Sequence, residues 1–207
     1  MRALTLSLLP LALVACSITG STSMQTMQSL PAATYKMEKA HASLLIRVKH
    51  MNLSSYTMRF TDFDATLEFD PKNPAASHVK AIVNPMSVQA DHPEDKEKWD
   101  QRIGEDILEG KDFPQIVFDS TRIEPTGENT GKVTGNLTLM GVTEPMTLDV
   151  TYNGAAPSAA LYQGRDAIGF SARGHFDRSD YGSTRYGAIV GSDVEVVLEV
   201  EFTRRNS

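Results

Sequence analysis

The stretch HFDRSDYG, residues 175–182, sets a histidine, two aspartates, an arginine and a serine close together, the side chains from which a hydrolytic triad is made. Its spacing argues against one. Ser179 is not on a G-x-S-x-G elbow, and neighbouring residues at a strand end point to opposite faces. Turn chemistry fits better: Asp177, Ser179 and Asp180 can each bond nearby backbone N–H groups, with Arg178 neutralising the carboxylates between which it lies. The five histidines, His41, His50, His78, His92 and His175, contain no H-x-x-x-H pair, so a zinc site would have to be assembled across strands. No P-loop or dinucleotide fingerprint is present. The expectation is a protein that is not an enzyme and holds no metal or cofactor. A formal net charge of −6, without a Lys/Arg stripe carrying interleaved aromatics, also excludes nucleic acid as a natural partner.

The only cysteine, Cys16, has a different reading. Arg2 gives a short positive start, Ala3 to Ala15 is largely apolar, and the segment ends in small residues, the pattern of a secretory signal peptide over residues 1–15. Leu13-Val14-Ala15-Cys16 resembles the bacterial lipobox, in which the thiol is lipidated and the cysteine becomes the new N-terminus. Ordinary signal cleavage beside an idle cysteine is the alternative. Loss of Arg2 would leave 19 basic residues (20 − 1) against 26 acidic ones, a net of −7, so acyl chains rather than charge would hold the chain to a membrane. Ser17, where an aspartate would signal inner-membrane retention by resemblance to enterobacterial sorting, points to a periplasmic protein on the outer membrane. Residues 16–33 are small, polar and without periodicity, and are expected to be a flexible tether.

From Tyr35 onward the chain has period two. Leu44, Ile46 and Val48 alternate with Leu45, Arg47 and Lys49; Phe63, Ala65, Leu67 and Phe69 alternate with Asp62, Asp64, Thr66 and Glu68; Val194, Val196, Leu198 and Val200 alternate with Glu195, Val197 and Glu199. Turn residues separate these runs at 70–74, 124–131, 141–145 and 153–158. About eight short-connected strands imply an antiparallel barrel or sandwich over residues 34–207. One segment breaks the rhythm. Residues 91–110 open on Pro93 and acidic side chains, then place Trp99, Ile103 and Ile107 at every fourth position, a short amphipathic helix interrupted or ended near Gly104. Such a helix closes one end of a barrel or packs outside it.

The hairpin GNLTLMGVTEPMTLDV, residues 135–150, sharpens the functional question. Leu137, Leu139, Met146, Leu148 and Val150 share one dry face. The inferred inner wall mixes large residues (Phe63, Phe69, Phe118, Phe170) with small ones (Ala65, Ala81, Gly135, Ala172, Gly174). That mixture fits a packed, tapering barrel or a cavity that a hydrocarbon chain completes.

The blocks 35–51, 59–77, 106–118, 132–150 and 169–182 resemble, in order, the YceI-like family of periplasmic proteins. The resemblance implies an eight-stranded antiparallel, lipocalin-like barrel with a long apolar channel that binds polyisoprenoids, fatty acids or their amides, and a possible homodimer. On that reading Phe63, Ala65, Leu67, Phe69, Val83, Phe118, Leu137, Leu148, Phe170, Ala172 and Val196 line the channel, with Trp99, Ile103 and Ile107 at its closed or gated end. The chain departs from the family at Glu38 and Lys39, at Met140, and at Ile107 and Leu108 beside the expected lid. Two rivals remain: an envelope stress or assembly protein acting through protein contacts on a packed barrel, and a hydrolase of lipid head groups.

Overall fold

The computed structural model describes residues 29–204; the expected signal peptide, residues 1–15, and Cys16 lie outside them. One closed antiparallel sheet contains all the strands. The ring runs β1 (Ala33–Met37), β4 (Phe63–Phe69), β5 (His78–Val83), β7 (Ile116–Pro125), β8 (Thr130–Leu139), β9 (Val142–Ala159), β10 (Arg165–Asp177) and β11 (Val190–Arg204), and returns to β1. Closure comes from Lys36 opposite Thr203 and Met37 opposite Phe202. The remaining segments prolong ring strands. After the 3-10 turn Lys39–His41, β2 (Ser43–His50) takes β1's place beside β11; β3 (Ser54–Phe60) leads into β4; β6 (Val88–Gln89) follows β5 past the turn Pro85–Ser87 and pairs β3. The result is an eight-stranded up-and-down barrel, one of the two forms the alternating pattern allows and the one the resemblance implies.

The three breaks lie side by side and are stitched together. Asn84 donates its backbone N–H to Asp62 O at 3.0 Å, Thr61 to Ser87 O at 3.2 Å, and Glu38 to Glu201 O at 2.8 Å. Asn84 also accepts from the Met86 N–H, capping the turn that Pro85 opens. Without these partners, interrupted ladders would leave backbone donors unpaired in a partly buried wall.

Packed structure begins earlier than the sequence implies. Leu30, in the span read as tether, is 3% exposed and packs with Tyr35, Phe69, Ile168 and Phe202, while the Tyr35 hydroxyl donates to Pro31 O at 3.0 Å. A single leucine among small polar residues has no periodicity to announce it. The helix is also shorter and more irregular. α1 (Lys96–Arg102) passes into a π-turn, Ile103–Ile107, where Leu108 N–H bonds Ile103 O at 3.0 Å. Gly104 permits this seat: a Cβ there would stand 3.2 Å from Met86 Sδ and 3.3 Å from Met86 Cα. Ile103 packs among Val48, Met58, Phe60, Val83 and Val194, which closes the barrel end where β2 and β3 meet.

Candidate functional site

Inside the barrel lies a cavity of about 340 Å³. Its wall repeats the alternation of the strands: Phe63, Ala65, Leu67 and Phe69 from β4; Val79, Ala81 and Val83 from β5; Met146, Leu148, Val150 and Tyr152 from β9; Val196, Leu198, Val200 and Phe202 from β11. Phe118, Leu137, Phe170 and Ala172 complete the set expected from parity, all on the cavity. On β7 the parity changes. A bulge between Ser120 and Arg122 moves the inward face from Ile116 and Phe118 to Ile123 and Pro125, and Ser120 Oγ accepts the Val79 N–H at 2.9 Å there.

Trp99, Ile103 and Ile107 do not line the cavity. Ile103 and Ile107 sit one layer behind it in the closing cluster, and Leu108 supplies the lining from this segment. Trp99 lies on the helix exterior, its ring stacked on His92 at 5.0 Å with the Arg102 guanidinium 5.4 Å from its centroid. Steps of four residues rotate progressively round an α-helix, and the π-turn after Arg102 shifts the face again.

The glycines do not create the room. A Cβ on Gly135 would fall 2.6 Å from Phe118 Cζ, and one on Gly174 would fall 2.7 Å from Leu148 Cδ2. Each glycine is a seat for a neighbour's side chain, while Ala65, Ala81 and Ala172 face open space in the cavity.

The lining reaches solvent at the end opposite α1. There it leaves the apolar strands and passes to Pro74 and Ser77 before β5, and to Gly127, Glu128, Asn129 and Thr130 in the β7–β8 turn. The expected lid therefore stands at the closed end, and the mouth belongs to a turn that the sequence marked only as a connection. Near the mouth, Phe170 meets Phe69, Tyr152 and Phe202 at centroid separations of 6.4, 6.0 and 6.3 Å, edge-on or tilted. Burial pushes the Tyr152 hydroxyl above its usual pKa, so it stays a neutral phenol.

The YceI-like domain model matches residues 35–202, which is almost the whole described barrel. The chain belongs to the YceI-like family. A UPF0312 protein of Yersinia pestis is 37% identical over 186 residues, spanning 86% of this chain and 90% of that protein. A second, from Yersinia enterocolitica, is 37% identical over 188 residues, or 87% and 92%. Among solved structures, a YceI protein of Campylobacter jejuni superposes with a TM-score of 0.65 at 26% identity, covering 76% of this chain and 90% of that one. Two more distant structures share the fold: BcnA of Burkholderia cenocepacia (TM-score 0.68, 24% identity, 80% and 98% coverage) and a polyisoprenoid binding domain from Saccharophagus degradans (0.58, 12%, 84% and 99%).

The polar groups that drew attention in this YceI-like sequence lie outside the cavity. His41 Nδ1 is 3.3 Å from the Tyr162 hydroxyl, which donates to Glu201; Arg165 bonds Glu38 at 3.3 Å and Thr203 Oγ1 at 3.1 Å. Burial and Glu201 push Tyr162 up to about 12. His175 faces Asp193 at 3.1 Å on the exposed wall. Among the described residues Arg178 forms no ion pair with its neighbours; hydrogen bonds from Ser179 and Ser192 hold the Asp177 carboxyl below its usual range, and the Arg178 charge adds to them last. Arg178 is buried, and donates to the carbonyls of Ser183 (2.5 Å), Gly191 (2.9 Å), Val190 (2.9 Å) and Arg185 (3.1 Å), holding the loop before β11. Asp177 instead accepts from Ser179 N–H at 2.8 Å and Ser192 Oγ at 2.7 Å. Among the described residues, no three His, Cys, Asp or Glu side chains group as a metal site requires.

Proposed function

We propose that this chain binds a long-chain amphiphile in its barrel and acts as a periplasmic container for it, anchored by a lipid on Cys16, without catalysing a reaction. The observation that carries this reading is the cavity itself: an apolar bore with one open, polar end, in a barrel small enough to have been filled by its own side chains. Its volume lies within the range of small-molecule sites. The polyisoprenoid binding domain of similar fold supports a hydrocarbon cargo. Each buried CH₂ is worth roughly 0.8 kcal/mol, so a twelve-carbon chain gains on the order of 10 kcal/mol before ordering costs. The packed-barrel and hydrolase rivals lack such an observation.

The anchor and the cavity fit together. The chain enters the barrel through Leu30 and β1, and Ala33 pairs with Phe69 at the open end. A lipid at Cys16 would thus tether the end that carries the mouth, so cargo leaving the membrane would meet the opening first.

Blocking the bore tests the reading. With Cys16 replaced by Ser, the chain is expected to bind the apolar fluorophore N-phenyl-1-naphthylamine, and Ala172→Trp or Ala65→Trp to lower that affinity at least about tenfold. Filling existing space keeps the cost in stability near 1–3 kcal/mol. Undiminished binding in both variants, with folding confirmed by circular dichroism, would place the ligand elsewhere.

A further inference from the structure

The mouth has a charge character of its own. Of the residues bounding the cavity, Glu128 is the one carrying a formal charge; no lysine, arginine or histidine takes part. The remaining polar groups of the rim are neutral: Ser77, Asn129 and Thr130. Their backbone is already engaged, Asn129 O accepting the Tyr152 N–H at 2.8 Å and Thr130 O the Thr126 N–H at 2.9 Å, while the Thr126 hydroxyl donates to Thr130 Oγ1 at 3.1 Å. The Glu128 carboxylate has no ion-pair partner among the described residues. Cations on the adjoining strands are matched elsewhere, Arg122 to Glu124 at 2.6 Å and Lys132 to Asp149 at 2.5 Å. Lys72, on the exposed turn before Pro74, is the nearest cation in sequence to the rim outside those pairs.

An amphiphile whose chain fills the bore must leave its head group at this rim. A carboxylate or phosphate head would find no counter-charge among the cavity's residues and would lie beside a like charge at the edge of an apolar wall. A hydroxyl, amide or ammonium head would find acceptors. Resting on the container reading, we infer that the mouth selects against anionic head groups. The preferred cargo is a long-chain alcohol, amide or amine whose donor is received by Glu128 and the neighbouring Asn129 side chain. Glu128 is then a specificity residue, and it separates the alcohol and amide classes from free fatty acids and prenyl phosphates.

Three probes of equal chain length isolate the head group: dodecylammonium, 1-dodecanol and dodecanoate, each displacing N-phenyl-1-naphthylamine from the full chain carrying Cys16→Ser. Low ionic strength keeps the rim charge unscreened. Dodecylammonium is expected to displace the fluorophore at concentrations roughly two- to fivefold below dodecanoate, with 1-dodecanol closer to the amine, the scale set by exposed charge pairs. Glu128→Gln should narrow the interval and Glu128→Lys should invert it, whereas Lys72→Gln should preserve the order. Dodecanoate binding as tightly as 1-dodecanol, or an order unmoved by Glu128→Lys, would overturn the inference while leaving the container intact. Failure of all three probes to displace the fluorophore would overturn both.

Discussion

Gly135 shows how closely single residues set the bore. Its backbone lies under the Phe118 ring, with Asp119 O 2.7 Å from where a Cβ would be. Gly135→Ala is expected to cost about 1–3 kcal/mol by overpacking and, by driving Phe118 inward, to weaken ligand binding. Phe118→Leu in the same chain should restore binding, and denaturant melts with fluorophore titrations on the two single variants and the double variant would measure the coupling. Independent, additive effects would mean that Phe118 and Gly135 do not share the space. At this scale the sequence was legible wherever alternation held: Phe63 through Phe69 and the 135–150 hairpin present their faces as parity requires. It failed where the backbone leaves strict period two. The β7 bulge brings Ile123 and Pro125 onto the wall, and Arg178 serves four carbonyls that no local pattern reveals.

Among the elements, the clearest departure is at the two ends of the barrel. A four-residue repeat correctly marked a helix, but a repeat does not say which layer each residue reaches. Trp99 ends outside, Ile103 and Ile107 form the closing layer, and Leu108 touches the cavity. The opposite end is half-sealed by Leu30, which inserts beside Ile168 and Phe202, leaving the rim between the β4–β5 and β7–β8 connections as the mouth. Leu30→Ala is therefore expected to cost about 2–5 kcal/mol in chemical denaturation, the range for a buried leucine, although it stands in a segment of tether-like composition. A change below 0.5 kcal/mol would show that Leu30 is not part of the folded core in solution.

For the molecule as a whole, eight strands close on themselves through the pairing of β1 with β11, and the ring surrounds the cavity. Antiparallel strands joined in succession were legible because turn residues and alternation both mark them; that they form a barrel rather than a sandwich came from the family resemblance. Whether the bore was filled or empty was not legible, since it depends on which side chain covers each small residue: Phe118 over Gly135, but open space over Ala172. The most direct test is native mass spectrometry of the chain carrying Cys16→Ser, produced by export to a bacterial periplasm, followed by solvent extraction. A mass excess of one long-chain molecule per polypeptide, removed by extraction and absent from Ala172→Trp, is the expected result; the same spectra read monomer against dimer. A wild-type mass equal to that of the polypeptide alone, in a folded protein that also fails to take up added long-chain alcohols, would contradict the container reading.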